Sequence, residues 1–120
     1  MQLCISNQMS VLHKTLTDDE RWFSFSLAEQ MANVGSEVIR AMNWKNKHKP
    51  DYCFRAFSRA QELLSFTISD PKHRGRLREL CRVREALADY LVFDNEYGST
   101  ALAWQKYFLA FTCLANKNRR

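Results

Sequence analysis

The sequence predicts an all-α fold, an antiparallel four-helix bundle with an N-terminal arm. Apolar residues recur at three- and four-residue spacing through most of the chain. A capping-box signature stands ahead of the first such run. Only three Gly and two Pro occur in 120 residues, too few for the frequent turns of a many-stranded sheet. That length suits one domain. With 46% apolar and 26% charged residues the chain can bury a core and is neither disordered nor fibrous. It divides into an arm over residues 1–16, the bundle over 17–116 and a basic tail over 117–120.

Helix one starts at Thr17-Asp18-Asp19-Glu20, where the Thr17 hydroxyl accepts from the third helical N–H and Glu20 reaches back. Its stripe is Leu27, Met31, Val34, Gly35, Val38 and Met42, ending near Trp44. Gly35 lowers helix propensity and marks the close approach of a neighbouring helix. Asn43 to Lys49 form a polar, basic connector, and Pro50 suits the first position of helix two, where its missing N–H costs nothing. Helix two carries Cys53, Ala56, Phe57, Ala60, Leu63, Leu64 and Thr67 inward and stops at Asp70-Pro71, because a residue before Pro leaves the α region. Helix three begins near Arg74 or Gly75 and reaches Phe93, with Leu77, Leu80, Cys81, Leu87, Ala88 and Leu91 as its apolar face. Asp94 to Gly98 read as a loop. Ser99 or Thr100 caps helix four, which runs to about Ala115. Short connectors make consecutive helices neighbours, hence the antiparallel bundle. In the arm, Cys4, Ile5, Val11 and Leu12 form either a short extra element or part of a loose segment.

The net charge of +5 is unevenly placed. Residues 45–84 hold eleven Lys/Arg against Asp51, Glu62, Asp70 and Glu79, a local +7, and the remainder is at −2. Such a region favours anionic partners, a solvated face being the alternative. Arg74, Arg78 and Arg82 repeat at four-residue spacing, as do Arg55 and Arg59. With Lys45, Lys47, Lys49 and Lys72 they make a candidate phosphate-tracking surface for RNA or DNA, with Trp44 and Tyr52 as stacking platforms. No recognition-helix or RNA-binding aromatic motif accompanies them.

On a helical wheel Arg84 stands in the middle of the helix-three stripe. A buried, unpaired guanidinium costs several kcal/mol, so Arg84 should face an acid or a set of carbonyls, line a wet cavity or bind an anion, or else snorkel. Glu37 and Glu96 are its candidate partners, and Tyr90 completes this predicted buried polar site. Helix four is apolar on two sides. Trp104, Phe108 and Phe111 define one face, while Leu102, Leu109 and Cys113 lie nearly opposite. A second subunit or the arm must cover the latter, or it stays exposed. We therefore expect a homo-oligomer with Leu102, Leu109 and Cys113 at its interface.

Catalytic signals are thin. His13, His48 and His73 lie outside the stripes with no Cys or Ser nearby in sequence, and no Gly-rich phosphate loop is present. Cys4, Cys53, Cys81 and Cys113 are 49, 28 and 32 residues apart, without the paired spacing of a zinc site. Cys53 and Cys81 fall on apolar stripes and read as reduced core residues. Neither a metal nor a cofactor is expected. No stretch matches a membrane span or a signal peptide, so a cytoplasmic location is expected.

The runs Leu27-Ala28-Glu29-Gln30, Gly35-Ser36-Glu37-Val38, Arg82-Val83-Arg84-Glu85, Asp89-Tyr90 and Asp94 to Thr100 resemble small uncharacterised bacterial four-helix-bundle proteins. That resemblance covers most of the chain after residue 17 and implies the fold without an activity. By architecture only, the chain is similar to ribosomal intervening-sequence bundle proteins and to the accessory bundle proteins of diversity-generating retroelements. This implies a basic, oligomeric, nucleic-acid-binding bundle. In size it also resembles the HEPN family, whose ribonuclease members carry Arg, four to six residues and then His on a late helix. Here Arg84 is followed by Tyr90 in place of His, which implies an inactive or partner-binding relative. The expectation is thus a non-catalytic binding or assembly module with nucleic acid as ligand. The alternatives are a HEPN-like toxin–antitoxin protein and a purely protein-binding scaffold.

Overall fold

The computed structural model describes residues 18–118, which are helical apart from short connections, with no strand among the described residues. Five helices pack together: α1 (Asp18–Phe23), α2 (Leu27–Asn46), α3 (Pro50–Ser69), α4 (Leu77–Leu91) and α5 (Ala101–Asn118). A 3-10 turn, Pro71–Arg76, joins α3 to α4. The capping box at Thr17 and the arm over residues 1–16 lie outside the described residues.

The expected continuous first helix is broken at Ser24–Ser26. The physical reason is a second capping box. Ser26 is extended (ψ 165), its hydroxyl accepts from the Glu29 N–H at 3.2 Å, and the Glu29 carboxylate accepts from the Ser26 N–H at 2.9 Å. The break lets α1 fold onto α3, where buried Trp22 donates its indole N–H to the Thr67 hydroxyl at 3.0 Å.

Helix α2 is central, packing against α3 and α5 and touching α4. Gly35 permits the α5 contact, since a Cβ there would lie 2.7 Å from Phe108 Cβ. At the C-terminus of α2 the chain turns through His48 in the left-handed region (φ 58). His48 N–H donates to Lys45 O and Lys49 N–H to Trp44 O, satisfying terminal carbonyls in the Schellman manner. Helix α3 has the predicted limits, and the extended backbone of Asp70 (ψ 118) ends it before Pro71.

Helix α4 is shorter at both ends than expected: it starts at Leu77 because Pro71–Arg76 wind as a 3-10 turn with His73 off the helical conformation, and it ends at Leu91 because Val92 (φ −120, ψ −36) leaves the helix. Its buried residues are Leu80, Val83, Leu87 and Leu91. This face is rotated roughly 50° from the predicted stripe, at 100° per residue, and Arg84 moves to its margin. The Asp89 carboxylate then accepts from Glu96 and Tyr97 N–H, while Asn95 (φ 54) brackets Ser99 through both side-chain atoms. Thr100 caps α5 by accepting from Ala103 N–H at 3.1 Å. Helix α5 extends to Asn118, beyond the expected Ala115, and buries Trp104, Phe108 and Ala115.

Candidate functional site

The nine candidate phosphate-binding residues are all exposed, but they do not share one face. Lys45, Lys47 and Lys49 cluster at the α2–α3 turn. Lys72 and Arg74 stand at the other end of α3, a 20-residue helix and so roughly 30 Å long. Arg59 pairs with Glu62 and lines a groove with Arg21, Trp22 and Phe25 on the α1 side of α3. The α4 side of α3 is marked instead by Gln61, which donates to Arg84 O. Trp44 and Tyr52 stack on each other, with centroids 4.7 Å apart. Lys47 lies over the Trp44 ring and Arg55 over the Tyr52 ring, so base stacking would have to displace a cation–π contact. Arg78 and Arg82 project from the face of α4 opposite its core, and with Arg74 they have no ion-pair partner among the described residues.

The predicted polar site around Arg84 is not assembled. Arg84 is half-buried and its guanidinium reaches the Ser65 hydroxyl at 3.4 Å, so it snorkels along α3. Glu37 pairs with Arg40, one turn away on α2. Glu96 is exposed in the α4–α5 loop. Tyr90 sits under Lys45, whose ammonium lies 5.5 Å from the ring centre and donates to Tyr90 O at 2.9 Å. Arg84 and Tyr90, the pair singled out by the HEPN resemblance, are therefore engaged separately.

A different buried polar cluster ties the molecule together, and it joins three segments distant in sequence. Gln30, fully buried on α2, donates its amide to Trp22 O at 2.8 Å, Phe25 O at 3.3 Å and Asp70 Oδ2 at 3.0 Å. Its Oε1 lies 2.7 Å from His73 Nε2, which must carry the proton because the amide nitrogen is committed elsewhere. Lys72 Nζ meets Asp70 Oδ2 and Phe23 O, both at 2.6 Å. Burial pushes the Asp70 carboxyl up, but hydrogen bonds from Lys72 and Gln30 outweigh it and hold the group below the usual carboxylate range. For His73, burial lowers the pKa against the opposing pull of Asp70. In sequence, only the polar Gln30 beside Met31 and the Asp70-Pro71 stop hinted at this cluster. Tyr107 donates to Glu79 at 2.8 Å and joins α5 to α4.

Among the open clefts of the described residues, two offer about 540 Å³ each. One runs between α2 and α5 over Ala32, Gly35 and Ser36, and is flanked by Leu109. Leu102 and Leu109 are 59% and 58% exposed and Cys113 is exposed beside them, so nothing among the described residues covers that face. The other cleft lies at the α2–α3 turn between Lys45, Cys53 and Leu91. Cys53, Cys81 and Cys113 form no disulfide among the described residues. No three His, Cys, Asp or Glu side chains are grouped to hold a metal there, and no described helix is long and apolar enough to cross a membrane. Compared with known proteins, the chain matches no family model, no curated protein and no solved structure.

Proposed function

We propose that the chain is a non-catalytic, cytoplasmic assembly and binding module, an antiparallel bundle of its four long helices that associates with a second copy through the α2–α5 face. The carrying observation is a knob beside a hole. Leu109 stands out from α5 at the edge of the open groove over Ala32, Gly35 and Ser36, and Leu102 is exposed on the same side of that helix, seven residues earlier. A two-fold interface needs one surface that complements itself, and a leucine ridge beside a small-residue groove has that property. Burying each leucine contributes roughly 1.5–3 kcal/mol. Light scattering should give a mass above 14.1 kDa at micromolar concentration. Leu109→Glu, which sets a charge into the contact, should return it to the monomer with helix content intact. A monodisperse wild-type monomer rejects the reading.

A polyanion, RNA or DNA, is the second element of the reading, supported by Arg74, Arg78 and Arg82. Three guanidinium groups without acidic partners at one end of the molecule form a surface that phosphates satisfy. The lysines at the α2–α3 turn stand apart from it.

A further inference from the structure

The cleft at the α2–α3 turn has a basic mouth and an apolar interior. Its walls are Cys53 and Phe54 of α3 and Leu91 and Val92 at the end of α4. Lys45, His48 and Lys49 stand at the mouth, and no acidic residue lines it. Lys45 is held in place by Tyr90 O, which leaves two of its three N–H groups for a ligand. Phe54 and Val92 are exposed, at 56% and 40%, so the apolar wall is open to an occupant. We propose that this cleft binds a small anionic amphiphile, a medium-chain aliphatic carboxylate, with its head between Lys45 and Lys49 and its chain along Cys53, Leu91 and Val92.

Size and charge select this occupant. The cleft offers about 540 Å³. That volume lies within the range of small-molecule sites. Residues 1–16 contain no Asp or Glu and residues 117–120 contain only Lys, Asn and Arg, so neither segment brings an acidic side chain to the mouth. Burial pushes the Cys53 thiol up, against the lowering effect of Lys45, which makes it an apolar wall and not a nucleophile. The site is independent of the α5 face, so it stands whether or not the chain self-associates.

The test is calorimetric titration of the full chain with decanoate, with decyltrimethylammonium as the charge-reversed control. Decanoate should bind saturably, one per chain, at least tenfold more tightly than the cation. Lys49→Glu, an exposed change, should weaken it at least tenfold, and Phe54→Ala should weaken it severalfold, both with unchanged circular dichroism. Amide shifts on binding should concentrate at Lys49–Phe54 and Leu91–Phe93. The Leu109→Glu variant should bind as the wild type does, which separates this result from that of the assembly test. Equal binding of the two amphiphiles, no response to Lys49→Glu, or shifts centred on α5 would overturn the assignment. So would a concentration-dependent mass abolished by Lys49→Glu, which gives the cleft to a second copy instead.

Discussion

At Gln30 one side-chain amide fixes the position of four other groups: the backbone oxygens that end α1 and precede α2, the Asp70 carboxylate and the His73 ring. Replacing it with Leu keeps the volume but strands a buried imidazole N–H and removes a donor from a buried carboxylate. Each orphaned polar group costs about 1–3 kcal/mol, so Gln30→Leu should lose about 3 kcal/mol in urea denaturation. A loss under 1 kcal/mol would mean that water replaces the amide. His73 makes the same cluster sensitive to pH. Its folded pKa lies below the ordinary value of 6.5, so the unfolded chain takes up the proton first. Stability is then full above about pH 6.5 and falls as pH drops through the window beneath it. Asp70, whose pKa is also lowered, contributes stability above the ordinary carboxylate value that is lost only on stronger acidification, below about pH 4. Denaturation midpoints should therefore decline between pH 7 and 5 in the wild type and stay flat in His73→Asn. An equal slope in both would place the titration elsewhere.

The elements show which parts of this fold a sequence can carry. Helix α3 was legible because both its ends are local chemistry, Pro50 at the start and Asp70-Pro71 at the stop. The break before α2 is equally local, since Ser26-x-x-Glu29 is a capping box directly ahead of the apolar stripe that begins at Leu27, and a helix start placed at Thr17-x-x-Glu20 passes over it. The roll of α4 was not legible, for a different reason. At 100° per residue Leu77 lies near the centre of the predicted stripe and Val83 outside it, and only contact with the other helices decides that Val83 goes inside while Leu77 stays 38% exposed. Arg84 followed that rotation, and its expected partners on α2 and in the loop were lost with it. The Gln30–Asp70–His73 cluster depends on side chains 40 and 43 residues from Gln30, a separation that no window of periodicity spans. Gly35 was read correctly, because a glycine within an apolar stripe has few reasons other than close packing. Gly35→Ala gains up to about 1 kcal/mol of helix propensity but drives a methyl to 2.7 Å from Phe108 Cβ, an atom fixed to the α5 backbone. Overpacking of this kind costs about 1–3 kcal/mol, so the net effect should be a destabilisation of about 1–2 kcal/mol in thermal or urea unfolding. A stabilised Gly35→Ala would mean that α5 moves away readily, and that the α2–α5 groove is soft.

On the scale of the whole molecule the charge is divided between two ends. The turn lysines border an apolar cleft, whereas Arg74, Arg78 and Arg82 face solvent beside the buried His73 corner. A polyanion running along one surface therefore meets one cluster or the other before it meets both, and the two are separable by mutation. If the α4 arginines are the phosphate contacts, three neutralised phosphates on a duplex give a log–log salt slope near −2.7, a loss of roughly 40-fold in affinity between 50 and 200 mM salt. Reversing Arg78 and Arg82 to Glu should remove most of that slope together with most of the binding. Reversing Lys47 and Lys49 should leave both nearly unchanged. The substituted positions are exposed, so circular dichroism should not change and the comparison reads charge alone. Self-association through α5 would double the number of arginines per particle, and the wild-type slope would then steepen toward about −5 when both copies engage one duplex. Measured in mobility shifts at two salt concentrations, a steep slope that becomes shallow in Leu109→Glu would tie assembly to polyanion binding. No shift at 50 mM salt with any RNA or DNA probe would remove nucleic acid from the reading and leave the assembly face standing alone.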